Sequence, residues 1–113
     1  MGKDQLNILW TNADPVTAEL MVFMYACNAK KRGLWETIQV IIWGSTAGLA
    51  AKDLHIQQLI RKAQKDGVSF SACIACADRL NATETLQELG VEVKSWGVPL
   101  TEIIKTGAHL ITV

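Results

Sequence analysis

The sequence predicts a single α/β domain, residues 1–113, built on a five-stranded, mainly parallel sheet. Three observations predict it. Short β-branched or apolar runs alternate with helix-length segments along the whole chain. Gly, Pro, Asp and Asn punctuate the junctions. The length of 113 residues, half of them apolar, suits one domain with its own core. Alternating strands and helices imply parallel pairing, because a parallel neighbour needs a crossover of about a dozen residues or more.

The elements follow in order. Leu6-Asn7-Ile8-Leu9-Trp10-Thr11 is a run of the kind that forms a buried strand, stopped by Asn12, Asp14 and Pro15. Asp14 before Pro15 marks a helix start, since the carboxylate accepts from free backbone N–H groups and Pro lacks one. That helix should run to about Lys31 and stop at Gly33. Thr37 to Trp43 is a β-branched strand, and Gly44-Ser45-Thr46 leads into a long helical stretch ending at Gly67. Within it Ile56, Leu59, Ile60 and Ala63 share one helix face. Val68 to Cys73 is the third strand. Helical pieces follow at Ala75 to Leu80 and Thr83 to Leu89, separated by a capping-box pattern at Asn81 and Glu84. Val91 to Trp96 is the fourth strand, Pro99 opens a brief helix closed by Gly107, and His109 to Val113 is the last strand. Right-handed crossovers then give a flavodoxin-like three-layer sandwich. A 2-1-3-4-5 strand order would bring Asn12 close to Cys73.

Leu20 to Cys27 is apolar around the whole helix circumference. One helix of so small a domain cannot bury every face against its own sheet, so a subunit interface is expected there.

Composition excludes several classes of function. Eleven Lys plus Arg balance eleven Asp plus Glu, and no basic block exceeds Lys30-Lys31-Arg32, so nucleic acid is not an expected partner. No apolar run approaches the roughly 18 residues that span a bilayer, so no membrane partner is expected. No secretory leader is visible at the N-terminus, and Leu6 stands where a myristoylation motif at Gly2 wants Ser or Thr. A cytoplasmic location is expected. Three cysteines, an odd set, argue against a disulfide framework.

In an open parallel sheet the ligand crevice lies beyond the carboxyl ends of the strands. That edge carries Asn12, Trp43, Ser45, Cys73, Cys76 and Trp96. A thiol at a strand-to-helix turn sits near the positive end of the helix, which favours thiolate; this makes Cys73, at an exposed edge, the leading nucleophile. Cys76 can reach back within the first helical turn. The same pair also reads as two small core residues. A zinc site from Cys73, Cys76, Cys27 and His55 would need a mid-helix His at the edge. Thioredoxin-like chemistry would place the pair after the first strand rather than the third. Trp43 and Trp96 are read as walls of the crevice or as core. Ser45 is read as a helix cap or an anion cradle. His55 should face solvent, and His109 should satisfy a backbone group.

Over nearly its whole length, and most specifically at Val68-Ser69-Phe70-Ser71-Ala72-Cys73-Ile74-Ala75-Cys76-Ala77-Asp78-Arg79-Leu80, the chain resembles the DsrE/DsrF-like sulfur-relay superfamily, which includes YchN-like proteins. The resemblance implies that Cys73 carries sulfur as a persulfide without any metal or organic cofactor. It also implies sulfur donor and acceptor proteins or small sulfane-sulfur compounds as partners, and a trimer or hexamer. Cys76 matches a second thiol of some YchN-like members, where dedicated relay proteins have a small apolar residue. A non-catalytic binding module is the alternative.

Overall fold

The computed structural model describes residues 4–113; the reading of Gly2 lies outside the described residues. The strands are β1 (Gln5–Trp10), β2 (Thr37–Ile42), β3 (Ser69–Cys73), β4 (Glu92–Lys94) and β5 (His109–Thr112). All pairs are parallel, in the spatial order β4-β3-β2-β1-β5. The fold class is the α/β architecture expected, but the 2-1-3-4-5 order is not adopted. Strand β2 stands between β1 and β3.

The order dictates where the helices go. The first three crossovers each step one strand in the same direction, so right-handedness puts their helices on one face. These are the first helix, then α3 (Ser45–Lys52) with α4 (Leu54–Lys65), then α5 (Ile74–Arg79) with α6 (Thr83–Glu88). The last connection returns across the sheet and lays α7 (Gly97–Lys105) alone on the opposite face. The strand residues explain why this face has so thin a roof. Register places Asn7, Gln39 and Ser69 side by side on it, whereas Ile8, Val40 and Phe70 share the covered face. A face carrying that polar row has too little apolar surface to hold a second layer of helices.

The covered face holds the main core. Ile8, Trp10, Val22, Ile38, Val40, Ile42, Ile56, Ile60 and Leu86 are fully buried there. Phe23 meets the Trp10 ring edge-on at 5.4 Å and stacks on Phe70 at 6.0 Å.

The first helix comprises α1 (Pro15–Thr17), a π-helical stretch Ala18–Phe23 and α2 (Met24–Lys31). Asp14 caps it as expected, its Oδ2 accepting from the Thr17 N–H at 2.9 Å. In the π-helical stretch the Met24 N–H reaches back to the Glu19 carbonyl, five residues earlier. Val22, Phe23, Ala26 and Cys27 face the core, while Leu20 (57% exposed), Met21, Met24 (49%) and Tyr25 face outward.

Two boundary expectations are corrected. The long helix after β2 is broken, because Asp53 leaves the helical conformation and its Oδ1 caps α4 through the Ile56 N–H at 3.0 Å. The capping box at Asn81 does not form. Asn81 instead takes the left-handed conformation at φ 54°, turning the chain between α5 and α6, and Ala82 stands at the N-cap.

Candidate functional site

Ligand crevices of open sheets form where chains leaving adjacent strands part to opposite faces. Here that point is the carboxyl end of β3 beside β4, since β3 feeds α5 on the covered face and β4 feeds α7 on the other. Cys73 is the last residue of β3 and the N-cap of α5, at the carboxyl edge where the sequence places that strand's end. Its neighbours are not the expected ones. In register, Cys73 faces Lys94 of β4, and Asn12 is separated from it by the whole of β2. The Asn12 side chain is engaged locally, its Oδ1 accepting from the Asp14 N–H at 2.9 Å.

Cys73 is also less accessible than expected. It is 7% exposed, packed with Ile41 and Trp96 in a small second core that Leu9, Trp43, Cys76, Leu100 and Ile103 complete. Side chains from β1, β2, the start of α7 and α7 itself converge over the end of β3, so the edge position does not expose the thiol. Cys76, one turn on, is only half-buried and touches both cores. The Gly44 N–H donates to its Sγ at 3.1 Å. Gly44 can do so because its backbone sits at φ 71°, ψ −137°, a region essentially closed to other residues. Burial pushes the Cys76 thiol above its usual range. The Gly44 N–H opposes that shift, the adjacent Cys73 thiol adds to it, and Arg79 draws it back down.

Trp96 is 2% exposed, and its indole Nε1 donates to Ser71 Oγ at 2.8 Å. The Ser71 hydroxyl in turn donates to the Glu92 carbonyl at 2.8 Å. Trp96 therefore serves as both core and wall, with the Lys94 ammonium 4.9 Å from the ring centroid. Trp43 is half-buried against the same cluster. Ser45 does not cap α3: Gly44 holds the N-cap without a side-chain bond, and exposed Ser45 lines a shallow depression with Gly48, Lys52 and Leu80. No side chain caps α3; buried Thr46 instead braces the turn before it, its hydroxyl donating to the Trp10 carbonyl at 2.8 Å and accepting from the Trp43 N–H at 3.1 Å. This bond ties the ends of β1 and β2 to the turn that presents Gly44.

The remaining candidates lie apart. Cys27 sits between α2 and α4, near Lys62 and Asp66, where burial raises its thiol and the Lys62 ammonium lowers it. His55 is exposed as expected and bonds Glu19 at 3.1 Å. The His109 ring meets Trp35 edge-on at 5.2 Å instead of serving a backbone group. Cys27 and His55 thus do not join the Cys73–Cys76 pair. Among the described residues no three His, Cys, Asp or Glu side chains converge as metal ligands.

The sequence places Gly44-Ser45-Thr46 at this edge as a possible anion cradle, but not Gly44 as a donor to Cys76 or Thr46 as a brace, and it does not single out Lys94. Two signals were present: a Gly two residues beyond the end of β2, and a Lys two residues before Trp96 at the end of β4.

The solved structure of a conserved protein of unknown function, BT1422 from Bacteroides thetaiotaomicron, superposes with a TM-score of 0.95 at 35% identity, covering 97% of this chain and 95% of that one. A second protein of unknown function, MTH1491 from Methanobacterium thermoautotrophicum, shares the fold with a TM-score of 0.76 at 19% identity, over 96% and 98% of the two chains. No curated protein matches the sequence. Residues 9–113 match the DsrE/DsrF-like family, and the chain belongs to it.

Proposed function

We propose that this protein, acting as one domain over residues 1–113, accepts sulfane sulfur at Cys73 and passes it on, with Cys76 governing release. One observation carries the reading: two thiols pack together where β3 and β4 part, with a backbone N–H donor on one and Lys94 in register with the other. The chemistry needs thiolates in a shielded site and no metal or organic cofactor.

The Cys73 thiolate attacks the outer sulfur of a donor persulfide, forming Cys73–S–SH and releasing the donor thiolate. An acceptor thiolate can then attack that outer sulfur, regenerating the Cys73 thiolate and forming the acceptor persulfide. Alternatively the Cys76 thiolate attacks the inner sulfur, which releases hydrosulfide and leaves a Cys73–Cys76 disulfide. The two thiols are oxidised and the outer sulfur is reduced. Partial burial keeps the persulfide from stray reductants, and the raised Cys76 thiol makes release faster as pH rises.

Intact-mass spectrometry after incubation with polysulfide tests this reading. The unmodified chain and Cys76→Ser should each gain about 32 Da per sulfur, Cys76→Ser holding it longer, and Cys73→Ser should gain none. Equal loading of both single variants would reduce the chemistry to indiscriminate thiol modification. No loading of the unmodified chain by several donors would favour a binding module.

The same reading includes self-association, as a trimer or hexamer, and a cytoplasmic location. Leu20, Met21, Met24, Tyr25 and Leu34 line a shallow exposed groove, a contiguous apolar patch of the kind that a partner covers. Met24→Glu should lower the mass measured by light scattering. A monomer at micromolar concentration for the unmodified chain would remove the interface.

A further inference from the structure

A groove of about 410 Å³ opens on the thinly roofed face, at the amino-terminal halves of β1 and β2. Its floor is a ladder of side-chain amides. Asn7, 1% exposed, accepts at Oδ1 from Gln5 Nε2 at 3.3 Å and from Gln39 Nε2 at 3.0 Å, and donates from Nδ2 to the His109 carbonyl at 3.1 Å. Asn7 thereby orients both glutamines while engaging only one N–H of each. Among the described residues neither glutamine makes another side-chain hydrogen bond. Each keeps an N–H and a carbonyl oxygen for a ligand.

The wall is one face of α7, where Pro99, Glu102, Ile103 and Thr106 fall at i, i+3, i+4 and i+7. Lys94 and Trp96 complete the lining. The Lys94 ammonium lies 3.7 Å from Glu92, both partly exposed, and Glu102 forms no ion pair among the described residues. The groove therefore offers preset amide donors and acceptors, one cation, one anion and the apolar surfaces of Pro99, Ile103 and Ala108. Its volume lies within the roughly 300–1,000 Å³ usual for small-molecule sites.

We infer that the groove binds a small zwitterionic, peptide-like molecule. Its backbone amides would pair with Gln5 and Gln39, its carboxylate with Lys94 and its ammonium with Glu102. The position relative to the thiols refines the class, a step that rests on the sulfur-transfer reading. Trp96 is the common wall of the groove and the Cys73 cluster, and Lys94 is the register partner of Cys73. A short peptide thiol or its persulfide bound there would lie across the Trp96 indole from Cys73.

The test uses the full chain carrying Cys73→Ser, so that sulfur exchange at Cys73 makes no contribution. The probes are glutathione and S-methylglutathione, followed by NMR at the Trp96 indole and the Gln5 and Gln39 side-chain amides. Both probes should shift these signals saturably. Gln39→Leu should weaken binding about 10-fold. Lys94→Gln, at a partly exposed position that leaves the fold intact, should weaken it about 3-fold or more and remove most of its salt dependence. Absence of any shift at about 10 mM probe, shifts indifferent to both substitutions, or a response to the thiol probe alone would overturn the assignment. So would silent groove signals accompanied by a lower solution mass of Gln39→Leu, which would mark the face as covered by a second copy. If polysulfide still loads the unmodified chain while the groove signals stay unmoved, the groove assignment falls and the sulfur reading stands.

Discussion

Trp96→Ala is expected to destabilise the fold by about 3–5 kcal/mol and to open Cys73 to solvent. The indole is almost fully buried and is the largest side chain over β3 on the thinly roofed face, packed with Ile41 and Cys73. Its removal leaves a cavity that the single helix α7 cannot collapse to fill, because α7 holds no fully buried residue of its own. Ser71 also loses the Nε1 donor at 2.8 Å. Trp96→Phe keeps most of the ring and loses only that N–H, and should cost about 1–2 kcal/mol. Denaturant titration at unchanged m-value reads the first effect. Alkylation of Cys73 in a chain lacking the other two thiols reads the second, with an expected acceleration of about 10-fold or more for Trp96→Ala. A loss below about 1 kcal/mol with unchanged alkylation would mean that Trp96 does not shield Cys73.

Thr46→Val is expected to cost about 2–3 kcal/mol, and Thr46→Ser about 1 kcal/mol. The two substitutions separate the hydroxyl from the methyl. Valine preserves the shape but removes the buried hydroxyl that donates to the Trp10 carbonyl and accepts from the Trp43 N–H; those two groups stay bonded to each other at 3.1 Å, so the cost is that of the lost hydroxyl bonds and not of orphaned groups. For a chain of this size each kcal/mol lowers the melting temperature by about 4 °C. A drop of about 8–12 °C is therefore expected for valine, measured by calorimetry, against about 4 °C for serine. Because Thr46 braces the turn at Gly44, Thr46→Val should also weaken the N–H donation to Cys76, and the pH at which Cys76 becomes reactive should rise. Equal melting temperatures for the two variants would show that packing, not the hydroxyl, holds this corner.

Every strand and most helices were legible in the sequence because each is set by local pattern and local caps. The run from Leu6 to Trp10, the β-branched run from Thr37, and Asp14 before Pro15 act within a few residues of themselves. The placement of Cys73 at a strand end followed from the same kind of signal, and the Val68 to Leu80 segment carried the family resemblance that the comparisons bear out. Asp53 and Asn81 show the limit of local reading. The first looked like one polar residue within a helical stretch, and the second like a cap, but each does something else because of the bonds available around it.

The sequence by itself therefore determined the strands and most of the helices, the α/β class and the two thiols at a carboxyl edge. What surrounds those thiols was decided only by tertiary structure. Strand order is a non-local choice that no short pattern encodes, and it replaced Asn12 by Lys94 as the neighbour of Cys73. It also put three crossovers on one face and one on the other, so that Trp96 buries Cys73 and a groove stays open over Asn7 and Gln39. The Gly44 bond to Cys76 spans 32 residues and depends on a backbone conformation that appears only once β2, α3 and α5 are packed together. Local sequence sets which groups are present, but accessibility, charge environment and hydrogen-bond partners belong to contacts between distant segments, and those are fixed only when the whole sheet is assembled.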